Sequence, residues 1–336
     1  MTSAGRRRAL LAVAGAAVLV LAGCSSGGEA GAAGENVTAT RDAAIHETEQ
    51  GAAQDAVAPV PTSEGDWQGV AEALGRQGTL SNETVYRVSF PRADLSVTSQ
   101  GVQIAPGFAL GSYAAFARYP DTTMVMGDLV VTEQELQQVT TALQDNGIGQ
   151  TAVHKHLLAH EPPIWWTHFE AAGPDPVALA RGIRAALDQT ATPPAGSGSP
   201  STGQLDLDTA AIDAALGTAG SAEGGIYKFS FARAETVSMH GRVLPPAMGV
   251  TTAINFQPTG GGNAAINGDF VMTADEVQGV IQALREGGIE IVELHNHTLA
   301  EQPRLFYMHF WANDDGAALA QTLARAVDAH NVRPVG

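Results

Sequence analysis

A single cysteine in 336 residues excludes an internal disulfide and a thiolate-rich zinc cluster. Basic residues are also scarce, 18 Lys+Arg against 35 Asp+Glu, for a net charge of -17. A surface that acidic repels phosphate backbones, so nucleic acid is excluded as a partner. Aromatics make up 6% and charged residues 16%, yet hydrophobic residues reach 44%, enough to pack a core. There is no apolar run of the ~20 residues that a membrane-spanning helix needs.

The longest apolar run, from Ala9 to Gly23, follows Arg6, Arg7 and Arg8 and ends at Leu21-Ala22-Gly23-Cys24. Basic, apolar and small residues in that order make a secretory signal peptide over 1–23. The small residues before Cys24 resemble the lipobox of bacterial lipoproteins, in which the cysteine is acylated and becomes the new N-terminus. Cleavage removes three arginines and no acids, leaving 15 basic and 35 acidic residues, a net charge of -20. Such a chain does not adhere to anionic lipid by itself, so the acyl chains at Cys24 hold it. Residues 24–66 are rich in Gly, Ala, Ser, Glu and Thr and read as a disordered tether. The expected location is the outer face of the cytoplasmic membrane, with the membrane as one partner and a cell-wall or envelope protein as another.

Beyond the tether the chain repeats itself. Val85 to Phe90 recurs as Ile226 to Phe231, with Arg92 matching Arg233. The block Gly127–Ala171 maps without gaps onto Gly268–Ala312, with 19 of 45 positions identical. A Pro/Gly/Ser linker over 190–204 separates a first repeat domain, 67–189, from a second, 205–330. Each reads as α+β: a small, mostly antiparallel sheet with helices on one face. Strands are expected at 85–90, 95–104, 108–117 and 123–131. The capping boxes Thr132-Glu133-Gln134-Glu135 and Thr273-Ala274-Asp275-Glu276 each open a helix.

The chain resembles the LppY/LpqO family of actinobacterial lipoproteins through Gly127-Asp128, Gly268-Asp269, Leu294-His295-Asn296-His297 and Met308-His309-Phe310. The resemblance implies the anchor and the duplication, and brings no activity with it. The first copy departs from it with Lys155 in place of Asn296 and Glu170 in place of Trp311.

Six of the ten histidines fall at equivalent positions: His154, His156 and His168, then His295, His297 and His309. Residues two apart on a strand share a face, so each His-x-His pair aims both imidazoles the same way. With a turn centred on Pro162 or Pro303, His156 sits opposite His168 and His297 opposite His309, ~5 Å apart at Cβ. Three converging imidazoles suit a transition-metal ion, zinc first, and the spacing predicts one ion per domain. Further candidate ligands are Asp128, Asp269, His160 and Glu301, with Glu161 also in a turn. The aspartates could instead orient an imidazole from behind. Trp165-Trp166 and Phe306-Tyr307 read as core, and Arg92 and Arg233 as anion sites or ion-pair partners of Asp94 and Glu235. Neither copy holds a nucleophile elbow, a phosphate-cradling loop or a His-Glu-x-x-His motif. Two function classes stand at this point. One is a metal-handling or metal-dependent hydrolytic lipoprotein; the other is a non-catalytic envelope-binding module with structural histidines.

Overall fold

A computed structural model describes residues 56–196 and 205–335. The signal peptide, Cys24 and most of the tether lie outside the described residues, as does the linker from 197 to 204. Among the described residues no helix is long and apolar enough to cross a membrane.

The first repeat runs α1 (Gln68–Leu74), β1 (Thr79–Ser81), β2 (Val85–Pro91), β3 (Thr98–Ser99), β4 (Val102–Gln103), α2 (Pro106–Ala109), β5 (Gly111–Arg118), β6 (Thr123–Thr132), α3 (Leu136–Asp145), β7 (Gly149–His154), β8 (His160–Glu161), β9 (Ile164–Gly173) and α4 (Pro176–Leu187). The second runs α5 (Thr209–Leu216), β10 (Ser221–Glu223), β11 (Ile226–Arg233), β12 (Ser238–Met239), β13 (Arg242–Val243), β14 (Thr251–Gly260), β15 (Asn263–Met272), α6 (Val277–Glu286), β16 (Glu290–His295), β17 (Glu301–Gln302), β18 (Phe306–Asp315), α7 (Gly316–Asp328) and β19 (Val332–Pro334). The main sheets have the same antiparallel order, β1-β2-β5-β6-β9-β7 and β10-β11-β14-β15-β18-β16, with β19 added on β11.

The long strand expected at 95–104 is instead the two short strands β3 and β4. Gln100 and Gly101 both take positive φ (45° and 84°), as a tight two-residue hairpin turn requires, and His240 and Gly241 repeat the device. The strand expected at 108–117 is shortened because Pro106 opens the one-turn helix α2 before β5 begins. The tether ends earlier than composition suggests. Val57 exchanges backbone hydrogen bonds with Gly241 and Val243, and the Val60 N–H donates to the Arg118 carbonyl.

Strand β6 shows why the sheets stack. Its odd-numbered Val125, Leu129 and Val131 pack against Val139, Leu143 and Ile183 of the helices. Even-numbered Met124 and Met126 pack on the other face, with Met239, Met248 and Tyr307 of the second repeat. A second mixed core joins Val130 and Trp166 to Ala265 and Trp311. Both repeats thus belong to one compact unit, layered helices, sheet, sheet, helices. The buried seam between the sheets is where the histidines point.

Candidate metal centre

Each Gly-Asp motif lies in the middle of its sheet. Asp128 on β6 is directly opposite His168 on β9, and Asp269 on β15 opposite His309 on β18. The glycine of each motif lets a neighbouring strand close in: a Cβ on Gly268 would lie 1.9 Å from the Ala253 carbonyl oxygen, and one on Gly127 2.2 Å from that of Tyr113.

The hairpin register differs from the one centred on the prolines. His154 pairs with Trp166 and Ala152 with His168, which centres the hairpin on position 160. In the second copy His295 pairs with Tyr307 and Glu293 with His309. The connections leave the hairpins, with β8 pairing on β3 and β17 on β12, while a bulge in each edge strand, between Gln150 and Ala152 and between Ile291 and Glu293, shifts only the pairs farther from the turn. His156 and His297 therefore lie past the ends of β7 and β16 and not opposite the returning histidines.

What the register denies within a copy, the seam supplies between copies. The His156 ring centroid is 3.8 Å from that of His309, and His168 is 3.9 Å from His297. His154 and His295 stack on each other at 4.2 Å. All six imidazoles thus form one cluster. Its groups with donor atoms within 4.8 Å of one another are His154, His168 and His295; His154, His156 and His309; and Asp269, His295 and His297. The arrangement expected from spacing, one three-histidine site closed within each domain, is replaced by a centre that both copies build. These groups could hold a metal ion.

Backbone carbonyls set the tautomers. Nδ1–H of His168 donates to the Gly127 carbonyl (3.2 Å), that of His309 to Gly268, and that of His297 to Gly249 (2.9 Å). A carbonyl only accepts, so each Nδ1 carries the proton and each Nε2 presents its lone pair. The Nε2 atoms of His168 and His309 are buried without a hydrogen-bond partner, as are Asp128 Oδ1, Asp269 Oδ1 and both ring nitrogens of His295, while that of His297 faces only the Asp269 carboxyl. Imidazoles held by Nδ1–H bonds with Nε2 free are oriented as metal ligands are. The Nε2 atoms of His154 and His156 are 2.9 Å apart, with Asp128 Oδ2 at 3.3 Å from His156 and 3.9 Å from His154. Asp269 Oδ2 lies 2.8 Å from His297 Nε2. Ligand atoms around a tetrahedral zinc are ~3.3 Å from each other, so these separations fit one.

Burial keeps the imidazoles neutral. It pulls His168 and His309 down to about 3 and His297 to about 4, and holds His154, His156 and His295 well below their usual range. Burial also pushes Asp269 up to about 7 and Asp128 in the same direction. A bound cation would reverse that shift, because it favours the carboxylate.

Two of the further candidates lie elsewhere. His160 bonds through its ring to the backbone at Leu157 and Ile164, so its nitrogens are occupied. Glu301 accepts from Thr298, Leu305 N–H and Arg304, and braces its own turn; Glu161 pairs with Thr98 across β8 and β3. The arginines are ion-pair partners: Arg92 binds Asp94 and Glu135, and Arg233 binds Glu235 and Glu276. Reading Trp166 and Tyr307 as core misses a second role. Trp166 stacks on His156 (4.5 Å, 9°) and Tyr307 on His297 (3.4 Å, 11°), clamping the two imidazoles that lie outside strands. Their signal in the sequence is that both stand two residues before the returning histidine. Gly249, which orients His297, carries no such signal.

At the two departures between copies, Lys155 lies over the Trp165 ring while Asn296 donates to the Thr151 and Thr298 carbonyls. Glu170, half-buried, is pushed up to about 6 by burial where Trp311 fills core.

Fold and site together define a tandem-repeat α+β protein whose two copies enclose a shared histidine–aspartate centre. The chain belongs to the family described as Domain of Unknown Function (DUF1259), whose model matches residues 68–189 and again 210–329. Among curated proteins none matches the chain. Among solved structures, a trimeric bacterial microcompartment shell protein, PduB, aligns at 13% identity over 75% of this chain and 92% of its own, with a TM-score of 0.19. A double-ringed trimeric shell protein from the RMM microcompartment aligns at 12% over 63% and 84%, with a TM-score of 0.17. Scores that low establish no common fold.

Proposed function

We propose that this protein is a lipid-anchored, extracytoplasmic metal-holding protein that keeps transition metal, zinc first, at the seam between its repeats. One observation carries the reading: three imidazoles have Nδ1–H fixed on backbone carbonyls and a buried Nε2 turned into a cluster with two aspartates, unpartnered in His168 and His309 and facing only Asp269 in His297. Packing alone does not ask for this, since buried polar atoms without partners cost stability. The near-complete burial of His154, His168, His309 and Asp128 favours holding an ion over hydrolysis on an open one. The anchor rests on Cys24 and its lipobox, in keeping with the resemblance to the LppY/LpqO lipoproteins.

Elemental analysis of untagged protein after exposure to zinc, copper, nickel and iron tests the metal. Uptake at micromolar concentrations is expected. No uptake would make the histidines structural and leave the envelope-binding module as the reading. Fatty-acid labelling in a lipoprotein-processing host should mark the wild type and not Cys24→Ser. Equal labelling of both would remove the anchor.

A further inference from the structure

We propose that the cluster is a two-ion centre with exchanged ligands. One transition-metal ion is held by Asp128, His154 and His156 of the first repeat with His309 of the second. The other is held by Asp269, His295 and His297 of the second repeat with His168 of the first. The inference rests on the metal-binding reading above and goes beyond it in ion count and ligand partition.

The partition follows from which atoms meet. Each His-x-His pair stays with the aspartate of its own copy: Asp128 Oδ2 reaches His156 Nε2 at 3.3 Å, and Asp269 Oδ2 reaches His297 Nε2 at 2.8 Å. Each returning histidine crosses the seam, with ring centroids 3.8 Å apart for His156 and His309 and 3.9 Å for His168 and His297. Within a copy the returning histidine approaches the first member of the pair less closely, at 4.5 Å for His154 and His168 and 4.7 Å for His295 and His309. Two equivalent sets result, each with three imidazoles and one carboxylate. Four such donors complete a closed tetrahedral shell.

A single ion among the central histidines would serve His154, His168 and His295. It would leave His309 Nε2 and an oxygen of each aspartate buried and unpartnered, an arrangement that costs stability. Two ions use every one of these groups. Trp166 and Tyr307 press on His156 and His297, the outer ligand of each set, so the aromatic clamp is also duplicated. The ions would then fasten one repeat to the other, because each needs a ligand from both sheets.

Zinc(II) titration of the full chain, with bound zinc counted by elemental analysis after a competing chelator, tests both parts. The wild type should retain two ions. His168→Ala with His297→Ala strips two ligands from one set and should leave one ion that resists chelator as the wild type's do. His156→Ala with His168→Ala takes a ligand from each set and should leave no such ion. Sites closed within each copy give the opposite result, none for the first pair and one for the second, and would overturn the exchange. One ion in the wild type overturns the two-ion centre while leaving metal binding intact, whereas none overturns metal binding itself. Should a double variant fail to fold by circular dichroism, the same pairs replaced by glutamine, which keeps the side-chain bulk, decide the exchange by the same two counts.

Discussion

Gly268→Ala tests the close strand approach on which the centre is built. The new Cβ would lie 1.9 Å from the Ala253 carbonyl oxygen and 2.9 Å from both the Ala253 carbonyl carbon and Phe310 Cζ. Phe310 could turn aside, but the carbonyl belongs to β14, and Gly268 pairs with Ile254 in that ladder. Relief requires β14 and β15 to part locally by more than an ångström. Overpacking of this kind costs about 3 kcal/mol, and a weakened ladder hydrogen bond adds about 1 kcal/mol. The restricted unfolded chain returns about 0.5 kcal/mol, so a net loss of about 3.5 kcal/mol is expected. For a body of this size that lowers Tm by roughly 7–14 °C. Thermal and urea denaturation of metal-free protein measure it. Gly111→Ala is the control: that glycine is exposed with no atom within 4 Å of the added Cβ, so it should stay within about 0.5 kcal/mol of wild type. A loss below about 1 kcal/mol in Gly268→Ala would refute the approach described and the reason for a glycine before Asp269.

Arg92 lies fully buried among Asp94, Glu135 and the Val130 carbonyl, with six hydrogen bonds of 2.8–3.2 Å; Arg92→Met should cost about 2 kcal/mol in urea denaturation by leaving the Val130 carbonyl and the partly covered Asp94 and Glu135 carboxylates without their partner, and a cost near zero would show that the cluster is not formed. His330 donates Nδ1–H to the Ala326 carbonyl and receives the Thr252 hydroxyl at Nε2, and burial pulls it down to about 4. Its folded value is lower than the unfolded ~6.5, so the unfolded chain takes up the proton first. Its stability is then complete above pH ~6.5 and lost as pH falls towards about 4, by about 3 kcal/mol. His330→Gln should flatten that part of the pH–stability curve of metal-free protein; identical curves would count against the buried neutral imidazole.

The duplication, the α+β class, the capping boxes and the identity of six histidines and two aspartates are all legible in the sequence, because repetition and short-range periodicity are local properties. Helix α3 follows the Thr132–Glu135 box, whose hydrogen bonds form as that motif specifies, since caps involve only neighbours along the chain. The register of the histidine hairpin was not legible. The hairpin strands stop pairing at His154 and His295, and the connections run out through β8 and β17 to pair with β3 and β12, a detour that leaves no mark in a count from the proline. Nor could spacing show that the His-bearing faces of the two sheets meet. The sequence marks 123–131 as a strand, and only packing shows that its Met124 and Met126 rest on the other repeat. Residue types and their local order are written along one strand at a time. Which imidazole stands beside which is decided between strands far apart in sequence, where burying two sheet faces against each other brings His156 to His309 and His168 to His297.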